Sequence, residues 1–102
     1  MQVTYKRPFA QYIKKAHKPL QLAILDAVEC VCSSPDLGEL KLGDLAGVRI
    51  YKFRFNRQEY LMAYRFLEES DSPGIQLISF YQVGSHENFY EGLKKYLRQV
   101  GA

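Results

Sequence analysis

Apolar positions along the chain follow two rhythms, and each predicts a different element. Phe9, Tyr12, Ile13 and Ala16 recur at helical spacing with Lys14 and Lys15 turned outward, which predicts a short amphipathic helix. His17-Lys18-Pro19 breaks it, and Pro19 suits the first turn of a second helix, where a missing N–H costs little. Leu20, Ile24, Val28 and Val31, widened by Leu25 and Cys32, form the stripe of that helix until Ser33-Ser34-Pro35 stops it. The two helices make a hairpin.

After Pro35 the rhythm changes. Residues Pro35 to Gly47 combine glycines with alternating charges and read as a loop. Val48 to Phe55 and Tyr60 to Leu67 are rich in β-branched and aromatic residues, and Asn56-Arg57-Gln58-Glu59 between them predicts a hairpin with a four-residue turn. Facing Phe55 with Tyr60 sets Phe53 opposite Met62 and Tyr51 opposite Tyr64 on an apolar face. The other face then pairs Lys52 with Ala63, Arg54 with Leu61 and Ile50 with Arg65, and is cationic. Glu68 to Gly74 reads as a turn, and Ile75 to Val83 as a third strand, central in the sheet. Ser85 is the expected N-cap of a terminal helix whose stripe is Phe89, Leu93, Tyr96 and Val100. With a short strand over Gln2 to Lys6, the order is (β)ααβββα. This predicts an α+β fold in which a helical hairpin packs on a small, mostly antiparallel sheet, as a single domain over residues 1–102.

Composition narrows the classes. A 102-residue chain is large enough for one core without staples, and no run of about 18 apolar residues offers a membrane span. The N-terminal stretch lacks the apolar segment of a signal peptide, so the expected location is the cytoplasm. Cys30 and Cys32 are spaced to point to different helix faces, which suits neither a disulfide nor a zinc site, and His17 has no ligand partner at metal spacing. No phosphate-binding glycine loop, nucleophile elbow or zinc-helix motif occurs. Neither a metal nor an organic cofactor is expected.

Charge placement matters more than the net value of +3. Lys52, Arg54 and Arg65 converge on one sheet face, with Arg49, Arg57 and Lys41 near them in sequence, an arrangement able to hold phosphates through forked, charge-assisted hydrogen bonds. An ordinary solvated sheet face carries the same pattern. His86 falls in the predicted first helical turn of Gly84-Ser85-His86-Glu87-Asn88-Phe89-Tyr90, with Tyr90 and Lys94 on the same flank. It is an acid–base candidate there, against the plainer reading of an exposed turn histidine.

The element order, the stretch YKFRFNRQEYLMAY from Tyr51 to Tyr64 and the ending VGSHENFYEGLKKYL together resemble the RelE/ParE superfamily of bacterial type II toxins over nearly the whole chain. The resemblance implies a toxin neutralised by a cognate antitoxin and, in the RelE- and YafQ-like branches, an mRNA interferase. Such an endoribonuclease cleaves ribosome-bound message through attack of the 2′-hydroxyl on its own phosphodiester. On that pattern Lys52 and Arg54 meet the RNA phosphate, His86 is the active-site histidine and Tyr90 the aromatic that follows it. Arg65, Arg49, Lys41, Arg57 and Lys94 would hold the backbone. The ParE branch implies instead a DNA gyrase inhibitor, and an inactive member would act only through its antitoxin. One departure stands out: the RelE pattern has an arginine after the hairpin tyrosine, where this chain has Leu61. Arg65 lies four residues farther along the strand, roughly 13 Å away.

Overall fold

The computed structural model describes residues 2–68 and 76–101, so the expected turn beyond Glu68 and the expected strand start at Ile75 lie outside the described residues. The elements are β1 (Gln2–Tyr5), α1 (Arg7–Lys15), α2 (Lys18–Ser33), β2 (Glu39–Leu40), a 3-10 turn (Gly43–Leu45), β3 (Arg49–Phe55), β4 (Gln58–Glu68), β5 (Gln76–Ser85) and α3 (Phe89–Gln99). One five-stranded sheet runs in the order β1-β5-β4-β3-β2. Only the β1–β5 pair is parallel, and β5, expected to be central, is an interior strand between β1 and β4. Among the described residues no helix is long and apolar enough to cross a membrane.

Both helices of the hairpin begin with proline in the first turn, and α1 ends on Lys14 and Lys15, whose charges complement its negative end. Leu20, Ile24, Ala27, Val28 and Val31 form the buried stripe of α2, whereas Leu25 faces solvent. A residue next to Ile24 is turned by about 100° from it, so Ala27 rather than Leu25 completes the stripe. These side chains join Phe9, Met62, Tyr64, Ile78 and Phe80 in one core on the hairpin side of the sheet.

The other side of the sheet is not the bare cationic face that strand alternation suggested. Ile50, Leu61, Ala63 and Tyr81 form an apolar floor there, and α3 lays Phe89, Leu93 and Leu97 on it. Burying each such side chain is worth about 1.5–3 kcal/mol, which fixes α3 against the sheet. Leu97 belongs to the stripe, and the expected Val100 is exposed.

The hairpin turn is shorter than expected. Asn56 and Arg57 have φ of 49° and 65°, the left-handed conformations of a two-residue type I′ turn, whose twist matches that of the strands. Phe55 therefore pairs with Gln58, Phe53 with Tyr60, Tyr51 with Met62, Lys52 with Leu61 and Arg54 with Glu59. The register differs from the expected one by two, and an even shift leaves every side chain on its expected face. Farther along, β5 carries a bulge: Ala63 pairs with Gln82 and Tyr64 with Phe80, leaving Tyr81 as an extra residue. Tyr81 and Gln82 consequently both serve the α3 side, Tyr81 in the floor and Gln82 donating from Nε2 to the Phe89 carbonyl at 2.8 Å.

The expected loop from Pro35 to Gly47 contains β2, two residues that pair with Arg49 and Ile50. The Tyr64 hydroxyl pins its entrance, accepting from the Gly38 N–H at 2.8 Å and donating to the Pro35 carbonyl at 2.6 Å. A β-carbon on Gly38 would stand 2.7 Å from that hydroxyl, so glycine is what lets the ring approach.

Candidate functional site

Beyond the edge of α3 the sheet exposes a row of polar side chains. Arg54 on β3 pairs across to Glu59 on β4, and Glu59 accepts a 2.5 Å hydrogen bond at Oε1 from His86 Nε2, just past the end of β5. This pairing leaves Nδ1 as the ring nitrogen turned elsewhere. The hydrogen bond from His86 foremost, with the cations Lys52 and Arg54 near it, holds the Glu59 carboxyl below its ordinary range. It is kept as a carboxylate that only accepts. Lys52, exposed and two pairs along β3 on the same face, stands across from Leu61.

His86 reaches Glu59 because it is not in a helix. Ser85 is the last residue of β5 rather than an N-cap, and α3 starts only at Phe89, after Asn88 in the left-handed region with φ of 57°. His86-Glu87-Asn88 is a turn that points the imidazole toward β4. The expected alignment of His86 with Tyr90 and Lys94 along one helix flank therefore does not exist.

A second group lies where the loop around β2 meets α3. Lys41 Nζ donates to Glu39 Oε1 at 2.7 Å and sits 5.7 Å from the centre of the Tyr90 ring. The hydrogen bond lowers the Glu39 carboxyl and raises the Lys41 ammonium, and Lys52 also contributes to holding Glu39 down. Lys52 thus stands within electrostatic reach of both carboxylates, which are interleaved with the cations.

The remaining predicted residues are dispersed. Arg49 lies on the hairpin side of the sheet, where its Nη1 donates to the Gly38 carbonyl at 2.9 Å, because it alternates in phase with Tyr51 and Phe53. Arg65 shares the face of Lys52, but its guanidinium lies 5.7 Å from the Tyr81 ring and its Nη2 donates to the Ala46 carbonyl at 3.5 Å. Arg57 is in the turn, where its carbonyl accepts from Arg54 Nη2 at 3.0 Å. Lys94 pairs with Asp44 at 3.7 Å. Leu61, the position of the missing arginine, is fully buried in the α3 core.

Sequence reading missed Glu59, placing it in a turn, and missed Glu39. Asn56 was the available signal for Glu59: asparagine tolerates positive φ, and a two-residue turn moves Glu59 into β4 opposite Arg54. Glu39 gives no comparable signal, since a two-residue strand has no period.

This sheet, with two helices on one side and a closing helix on the other, has the fold of RelE toxins. A chain of the intact E. coli RelBE toxin–antitoxin complex matches with a TM-score of 0.64 at 16% identity, over 84% of this chain and 96% of that one. The isolated E. coli RelE toxin in its P21 form matches with a TM-score of 0.59 at 17% identity, over 94% and 98%. No curated protein sequence matches the chain. The family model of the ParE-like toxins of type II bacterial toxin–antitoxin systems matches residues 3–94, and the chain belongs to that family.

Proposed function

We propose that this toxin is an endoribonuclease that cleaves message on the ribosome and is neutralised by a cognate antitoxin. The observation that carries this reading is the His86–Glu59 pair in line with Arg54 and beside Lys52. A carboxylate fixed on Nε2 orients the imidazole and offsets the charge that forms on it during proton transfer, leaving Nδ1 to face substrate. His86 takes the proton of the 2′-hydroxyl as the 2′-oxygen bonds to phosphorus. The bond from phosphorus to the 5′-oxygen breaks, and the departing oxygen takes up a proton from the imidazolium or from water. Lys52 and Arg54 stabilise the charge that builds on the phosphorane. Lys52 stands directly across from Leu61, so a cation is supplied from the neighbouring strand where the RelE pattern has an arginine. Tyr90 stacks on a base or orients the phosphate, with Lys41 at its ring. The E. coli RelE-type fold is matched in a chain solved with its antitoxin. A flexible acidic segment suits the cations exposed here.

A second reading, inhibition of DNA gyrase, is favoured by one observation: the position of the missing arginine is an apolar residue committed to the core. Brief induction followed by mapping of message ends and assay of gyrase supercoiling separates the two. Message cleavage, reduced about 100-fold or more by His86→Ala and by Lys52→Ala in folded protein, supports the ribonuclease. Intact messages with trapped DNA breaks support the gyrase inhibitor. Absence of toxicity without the partner points to a member acting only through its antitoxin.

A further inference from the structure

A cleft of about 610 Å³ opens on the α1 side of β5, immediately beside the turn that carries His86. Ser85 and Glu87, the two neighbours of His86, both line it, so the cleft adjoins the turn that carries the imidazole. Its inner surface is apolar, with Val83, Leu20 and the ring of Tyr12. A β-carbon added at Gly84 would lie 3.5 Å from that ring, at ordinary contact distance, so Gly84 and Tyr12 face each other across the cleft wall. The rim is polar but nearly neutral: Lys15 and Glu87 offset each other, and Gln11 and Asn88 contribute amides. The Asn88 amide makes no capping bond to α3. Burial pushes the Tyr12 phenol above its ordinary value, so its hydroxyl stays protonated as a donor.

We infer that this cleft is a base-reading subsite: it receives the unpaired nucleobase next to the cut, packed against Tyr12 and read at its edge by Gln11 and Asn88. The inference rests on the ribonuclease reading and adds to it a source of sequence preference. A near-neutral cleft of this size with an aromatic wall suits a flat, uncharged heterocycle with donors and acceptors on its rim, and does not suit a phosphate. The phosphates are served by Lys52 and Arg54 on the other side of the His86 turn.

The test maps cut sites in message after brief induction of the full chain, for the wild type and for Gln11→Ala, Asn88→Gly and the double variant. Glycine keeps the left-handed conformation at position 88 while removing the amide. The wild type is expected to prefer one base next to the cut, and the variants to keep cutting while that preference falls about tenfold. Cutting without a preference at that position, or variants that keep the wild-type preference, would overturn the subsite and leave the ribonuclease intact. So would a loss of antitoxin binding with unchanged base preference, which would assign the cleft to a protein segment. A wild type that cuts no message overturns both.

Discussion

His86 and Glu59 are 27 positions apart in the chain, and their contact depends on two backbone details: a turn of two residues before β4 and a helix that starts at Phe89 rather than at His86. Histidine and glutamate differ in what they contribute. In the proposed ribonuclease Glu59 is a positioning residue, so Glu59→Gln should keep the imidazole near its place yet lower message cleavage by about 100-fold and alter the pH–rate profile. A profile and rate like those of wild type would exclude the role. The carboxyl itself is testable in the folded protein. Its proton affinity is lowered by folding, so its contribution to stability is present above the unfolded glutamate value and is lost as pH falls through the lower folded value. The side chain is partly open to solvent, which screens the pair and makes that contribution small. Side-chain carboxyl titration by NMR should find Glu59 below the usual glutamate range, and His86→Ala should move it upward. An ordinary titration in the wild type would mean that the pair is absent in solution.

At the level of elements, the helical periods were legible because each is written locally. Phe9 with Ile13, Ile24 with Val28 and Phe89 with Leu93 show their faces without knowledge of the rest of the fold. The turn was not legible in the same way, because four polar residues after Phe55 fit either a long turn or a short one followed by paired strand ends. Its even error preserved the faces of Lys52 and Arg54, which is why their position on the site side survived. Arg57 sits at φ 65°, where glycine is not strained and arginine is. Arg57→Gly should therefore raise stability by about 1 kcal/mol in denaturant unfolding. It leaves the carbonyl that Arg54 uses, so toxicity should be unchanged; a loss of toxicity in the more stable protein would place the Arg57 charge at the target. Leu93→Ala, fully buried between α3 and the sheet, should cost about 2–5 kcal/mol by the same measurement.

Across the whole molecule, the layer order was readable on one side of the sheet and misjudged on the other. Ile50, Leu61 and Ala63 alternate with the same phase as Lys52 and Arg54, and their apolar character was the sign that something packs on that face. The cations drew attention away from it. Once α3 is placed, the site becomes the uncovered end of an otherwise buried surface. The opposite faces are also joined: Tyr64, packed in the hairpin core, holds Pro35 and Gly38 through its hydroxyl, and three residues after Gly38 the same segment delivers Lys41 toward Tyr90. Tyr64→Phe should lower stability by about 1–3 kcal/mol through the two backbone groups left without a partner. Calorimetric or denaturant unfolding measures that loss, and no change would remove the hydroxyl from its pinning role. The consequence reaches into genetics. If the proposed ribonuclease site is right, a selection for harmless variants would recover changes at Tyr64 and Gly38, which only hold the fold, alongside those at His86. Their signature would be rescue at lower growth temperature, which separates a loosened loop anchor from a missing reactive group.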